Sequence, residues 1–97
     1  MPQASSSADQ ALSDYLELIE QFVDGRITAE RFEAVFLPKF KTETTHLPDD
    51  VFNILDGLFG DVDDYVSDPG LRAEAGGLDD EQLRTCARNA YNELRSI

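Results

Sequence analysis

Residues 47–68 constrain the fold most, because their apolar side chains recur at the spacing of one helical face. Val51, Leu55, Leu58 and Val62 follow one another at i, i+4, i+7 and i+11, with Phe52 and Phe59 beside them. The other side of the same segment carries carboxylates: Asp49, Asp56, Asp61, Asp63, Asp64 and Asp68. Pro48 followed by acids is typical of a helix start. The pattern predicts a helix with one buried face and one acidic face.

Three further segments repeat this period. Their predicted starts are Ser7 with Gln10, Thr28, and Asp79 with Gln82, all combinations typical of helix N-caps. Pro38 falls inside the second of them and is expected to bend it, with Phe40 still packed. Residues 67–77 contain one proline and three glycines, and are expected to form a loop.

Four amphipathic helices without strand-like alternation predict an all-α protein, a small antiparallel four-helix bundle. We expect residues 1–6 to be a disordered N-terminal tail and residues 7–97 to be a single domain. The first ten residues show no signal-peptide pattern, and no apolar run is long enough to span a membrane. We therefore expect a soluble cytoplasmic protein, with a monomer favoured.

Charge is concentrated in one third of the chain. The 97 residues carry a net charge of −12, and residues 49–81 hold eleven acids against one base, Arg72. Such a surface repels nucleic acid and anionic membranes, and it favours a cationic partner. A merely solubilising acidic surface is the alternative interpretation.

Catalytic and metal-binding patterns are not apparent. The Asp61-x-Asp63 start of a calcium loop is not continued, since Val66 replaces the required glycine and Arg72 the final glutamate. One histidine and one cysteine, His46 and Cys86, do not make a zinc site or a disulfide. We therefore expect no enzymatic activity, no metal and no cofactor.

Residues 18–32, 47–64 and 78–84, with their helix starts, stops and acids, resemble the bacterial self-protective colicin-like immunity family. The resemblance implies a helical inhibitor of a toxin nuclease domain, with acidic side chains occupying a cleft built for RNA phosphates. The family's type member acts against a toxin that cleaves transfer RNA.

The predicted partner is therefore the basic nuclease domain of a cognate toxin. Carboxylates held on a rigid helix are expected to contact it. The candidate contact residues are Asp56, Asp61, Asp63, Asp64, Tyr65 and Asp68. Tyr65 is interpreted either as a contact residue or as a core residue at the end of the helix. An acidic adaptor or regulatory module that binds some other protein is the second functional hypothesis.

Overall fold

The computed structural model of the protein describes residues 6–97, with side chains from residue 8 onward. The described chain forms five helices: α1 (Ser6–Val23), α2 (Ala29–Lys41), α3 (Asp49–Asp63), α4 (Pro69–Ala75) and α5 (Asp80–Arg95). The all-α prediction is confirmed for these residues. Residues 1–5 of the predicted tail and the side chain of the predicted Ser7 cap lie outside the description, and α1 already includes Ser6.

The four long helices run antiparallel to their neighbours. Phe22 stacks on Phe32 with ring centroids 4.6 Å apart, which joins the end of α1 to the start of α2. The ring centroids of Phe40 and Phe52 are 5.6 Å apart, and this contact joins the end of α2 to the start of α3. Helix α5 packs against both α1 and α3. One end of the bundle therefore gathers the start of α2, the end of α3 and the start of α5.

The core follows the predicted apolar stripes. Each long helix contributes side chains with almost no exposed surface. The largest of the fully buried side chains are Tyr15, Ile19, Phe22, Phe32, Phe36, Leu55, Leu58, Val62 and Leu83. Phe52 differs from expectation, because it lies at the edge of the α2–α3 contact and is 46% exposed.

Local start and stop signals explain the helix bounds. The Thr28 hydroxyl accepts a hydrogen bond from the Arg31 backbone N–H at 3.1 Å. Asp79 and Gln82 form the predicted capping box, with reciprocal bonds of 2.8 and 3.0 Å. Gly25 follows α1 with φ of +81°, the left-handed conformation that glycine adopts without strain. The predicted starts at Thr28 and at Asp79 with Gln82 are confirmed.

The predicted loop at residues 67–77 is wrong, because α4 occupies its centre, so the structure has five helices where four were predicted. The Asp68 carboxylate accepts hydrogen bonds from the backbone N–H groups of Gly70 (2.8 Å) and Leu71 (3.4 Å). Pro69 occupies the first helical position, where its fixed φ suits a helix. The helix is short and buries no residue. Its Asp-Pro start was present in the sequence, but the nearby glycines were interpreted as a loop.

Two prolines lie at or within helices. Helix α2 continues through Pro38 to Lys41, and Phe40 packs between α2 and α3 as predicted. Pro48 was expected at the first helical position of α3 and is instead its N-cap, so the helix begins one residue later, at Asp49.

A short backbone pairing closes the base of the segment that carries α4. The Val66 N–H donates to the Leu78 carbonyl at 3.1 Å, and the Leu78 N–H donates to the Asp64 carbonyl at 3.0 Å. Gly77 makes this approach possible: with φ of +110°, a Cβ at this position would lie 2.7 Å from Val66 Cγ2 and 2.8 Å from the Asp64 carbonyl oxygen. The end of α3 is thereby fixed next to the start of α5.

Candidate protein-binding surface

The predicted contact carboxylates are accessible and lack cationic partners. Asp56, Asp63 and Asp64 are exposed, and Asp61 is half-buried. Across residues 8–97, the ion pairs involve Arg26 and Arg84, whose partners are acids of α1, the turn after it and the first turn of α5. The α3 carboxylates are therefore available to pair with cationic side chains of a partner protein.

These carboxylates do not form a single patch, because α3 presents them in two directions. Asp56 and Asp63 are seven residues apart and share the side that faces α2. Asp61 and Asp64 are three residues apart and share the side towards α5. At 100° per residue, Asp61 and Asp63 diverge by about 160° around the helix axis. The sequence run of acids is thus divided between two neighbouring surfaces.

On the α2 side, Asp63 joins acids from another helix. The pKa of Glu33 is raised by partial burial, and further by the negative charges of Glu30 and Asp63. Asp64 and Asp80 lie at the same end of the bundle, at the C-cap of α3 and the start of α5. We call Glu30, Glu33, Asp63, Asp64 and Asp80 the carboxylate end.

Sequence reasoning missed Glu30 and Glu33 as members of this surface. Glu30 lies in the first turn of α2, where an acid also favours the helix start. The signal that could have found both is their i, i+3 spacing in the first turns of a helix antiparallel to α3, which brings its start beside the end of α3.

Tyr65 is a core residue at this end. Its side chain is 5% exposed, and its hydroxyl donates a 2.7 Å hydrogen bond to Asp80 Oδ1. Burial, and then this hydrogen bond and the surrounding carboxylates, raise the pKa of Tyr65. The ring therefore ties the end of α3 to the start of α5, which holds the carboxylates of the two helices in a fixed relation.

Asp68 is the N-cap of α4. Its carboxylate is exposed, but Oδ1 already accepts two backbone hydrogen bonds at the start of α4. The structure therefore places Asp68 in a segment of its own, outside both groups of α3 carboxylates.

A groove of about 470 Å³ runs between α3 and α5. Its floor is apolar and includes Ile54, Leu58 and Ala90, and its rim carries Asp61 and Glu93 together with the amides of Asn53 and Asn89. Cys86 lines the same groove, and its thiol pKa is raised by burial and by the neighbouring Asp61 carboxylate. A raised pKa keeps the thiol protonated and unreactive near neutral pH.

The part of the chain that the structure describes holds no group of three or more His, Cys, Asp or Glu side chains placed to bind a metal ion. None of its helices combines the length and apolarity that crossing a membrane requires.

Comparison with known protein families identifies the family of this chain. Residues 10–94 match the family described as bacterial self-protective colicin-like immunity. The chain belongs to this family. Comparison with curated proteins gives no match. The matched region includes the carboxylate end and the groove, so both surfaces lie within the part shared with this family.

Immunity proteins of this family protect the cell that makes a toxin, and the molecule is therefore a toxin-inhibiting protein with a protein toxin as its partner. A rigid surface loses little conformational entropy when it binds a partner. The Tyr65–Asp80 bond and the backbone pairing of residues 64–66 with Leu78 supply that rigidity at the carboxylate end.

Proposed function

We propose that this immunity protein binds and inhibits a basic nuclease toxin domain by presenting the carboxylate end to its active-site cleft. The observation that carries the proposal is the crowding of Glu30, Glu33 and Asp63: partial burial first, and then the negative charges of Glu30 and Asp63, raise the pKa of Glu33. This repulsion is unfavourable in the free protein. Contact with Lys or Arg side chains relieves it, so the relief adds to the binding free energy.

A nuclease cleft has the complementary charge. Phosphate charge dominates the affinity of proteins for nucleic acids, and a ribonuclease must carry Lys or Arg where it holds its substrate. Carboxylates fixed on three helices offer such a cleft several negative charges at fixed positions, as an RNA backbone does. Inhibition by charge mimicry follows, with the RNA substrate excluded.

Net charge supports rapid capture. A protein with a net charge of −12 attracts a basic domain over distances of about a Debye length, roughly 8 Å at physiological ionic strength. Electrostatic steering raises association rates by one to three orders of magnitude. An immunity protein benefits from this speed because the toxin must be bound before it cuts RNA.

The experiment compares two charge-removing triple variants of the full chain. The site variant replaces three exposed acids of the carboxylate end by their amides: Glu30→Gln, Asp63→Asn and Asp64→Asn. The control variant removes three exposed charges elsewhere, from α1 and the start of α3: Asp9→Asn, Glu17→Gln and Asp49→Asn. Both proteins are measured by thermal melting, by affinity for the nuclease domain encoded beside the immunity gene, and by protection of cells that express it.

We expect both variants to melt within a few degrees of the parent, since exposed substitutions usually change stability by less than about 0.5 kcal/mol each. The site variant should lose several kcal/mol of binding free energy, because charge pairs desolvated in an interface cost about 2–5 kcal/mol each when one partner is removed. The control should bind nearly normally. Full protection by a site variant that melts normally contradicts the carboxylate end as the contact surface. A parent protein that neither binds the nuclease nor protects against it favours an acidic adaptor or a partner that is not a nuclease.

A further inference from the structure

The groove between α3 and α5 has the chemistry of a receptor for cationic side chains with apolar stems. Asp61 lies beside Cys86 at one end. Glu93 lies seven residues further along α5, about 10 Å away, on the rim at the other end. Between the two carboxylates the floor is apolar, with Leu58 2% and Ala90 5% exposed. Acids at both ends of an apolar floor match an apolar residue flanked by two cations.

The dimensions of the groove select the conformation of its occupant. The groove extends along α3 from Asn53 to Asp61, eight residues or about 12 Å. In an extended chain, side chains at i, i+2 and i+4 share one face and span about 13 Å, which matches this length.

We infer that this groove binds an extended segment of the partner in which an apolar residue stands between two arginines, at i, i+2 and i+4. Each guanidinium meets a carboxylate, Asp61 at one end and Glu93 at the other. The amide oxygens of Asn53 and Asn89 accept the remaining donors, and the arginine stems cover the floor. Arginine suits this site better than lysine because its planar group offers five donors and is less strongly hydrated.

This inference rests on the proposed function only for the identity of the partner, the basic toxin. It adds a second contact surface on the α5 side of α3, which adjoins the carboxylate end at Asp64 and faces away from Asp63. The groove supplies an anchored, partly apolar contact, whereas the carboxylate end supplies exposed charge. Anchors in pockets usually carry most of the binding energy of an interface, and rim charges mainly affect the rate of association.

The test uses a blocked peptide, Arg-Gly-Leu-Gly-Arg, titrated into the 15N-labelled full-length protein at low salt while amide chemical shifts are recorded. The control peptide is Glu-Gly-Leu-Gly-Glu. We expect the arginine peptide to shift the amides of Gly57, Cys86 and Asn89 with saturable binding. We expect the glutamate peptide to leave them unchanged. Shifts confined to the carboxylate end, or equal shifts with both peptides, overturn the inference.

Two glycines of α3 give a matched pair of variants. Gly57 lines the groove and Gly60 does not, and a Cβ added at either meets no atom within 4 Å. Leucine is the better helix former, so Gly57→Leu and Gly60→Leu should both fold. We expect Gly57→Leu to weaken peptide binding at least tenfold by filling the groove without altering charge, and Gly60→Leu to change it less than twofold. Equal affinities for the two variants overturn the inference.

The same pair separates this inference from the proposed function. If the parent inhibits the nuclease and Gly57→Leu inhibits it as tightly as Gly60→Leu does, the groove is not a contact and the inference fails while the function stands. If the arginine peptide binds the groove but no basic nuclease is inhibited, the proposed function fails. A Gly57→Leu protein that loses at least tenfold in nuclease affinity, beside a normal Gly60→Leu protein, supports both.

Discussion

Two buried tyrosines should make the protein unusually sensitive to alkali. Tyr15 is fully buried and its hydroxyl donates a 2.8 Å hydrogen bond to Glu43 Oε1, while Tyr65 makes the corresponding bond to Asp80 at 2.7 Å. Burial first, and then the carboxylate acceptor, raise the pKa of each tyrosine. A deprotonated hydroxyl would place a second negative charge against a carboxylate.

The magnitude follows from proton linkage. In the unfolded chain a tyrosine loses its proton around pH 10, whereas the folded protein keeps it. The folded state therefore binds more protons, and its stability is complete below pH 10 and falls as pH rises above it. Between pH 9 and pH 11 each tyrosine removes up to about 1.4 kcal/mol from the free energy of unfolding, or about 2.7 kcal/mol for both.

The assay is urea denaturation at pH 9, 10 and 11 for the parent, for Tyr15→Phe and for Tyr65→Phe. Each variant should lose less stability between pH 9 and pH 11 than the parent, by about 1 kcal/mol, because phenylalanine does not titrate. Cys86, whose pKa is also raised, contributes equally to all three proteins and cancels in the comparison. Parallel stability curves for parent and variants would refute the reasoning, since the hydroxyls would then titrate alike in the folded and unfolded chain.

Two further predictions concern stability alone. Gly77→Ala should lower the free energy of unfolding by about 1–3 kcal/mol, because its Cβ would meet Val66 Cγ2 at 2.7 Å and its φ of +110° strains an L-residue; a denaturation midpoint equal to that of a Gly60→Ala control would contradict this. Leu55→Ala, at a fully buried position in α3, should cost about 2–5 kcal/mol in the same assay through the cavity it leaves, and a loss below 1 kcal/mol would indicate that the core collapses around it.

The sequence was sufficient for the parts of the fold that depend on local signals. The stripe of Val51, Leu55, Leu58 and Val62 is buried as its spacing predicts, and the Asp79–Gln82 box begins α5. Each of these depends on residues within a few turns of one another. Helix α4 was missed for a different reason, because the glycines around it outweighed the Asp-Pro start in the reading of a short segment.

The candidate site depends on residues that are distant in sequence, and its arrangement could be predicted only in part. A run of acids was visible at the end of α3, but its division between two directions follows from the helical twist and from which helices pack on either side. Glu33 comes beside Asp63 only through the antiparallel packing of α2 and α3. The groove requires α5 to lie along α3, a pairing that no local pattern specifies.

The pairing of residues 64–66 with Leu78 separates the α4 segment from the rest of the molecule. Because both ends of the segment meet at this base, we expect insertions and deletions between Val66 and Gly77 to leave α3 and α5 in place, at a loop-closure cost that grows only slowly with length. No residue of α4 is buried, and Leu71 is 56% exposed. The fold thus offers one exposed segment whose length and sequence can vary while the core stays unchanged.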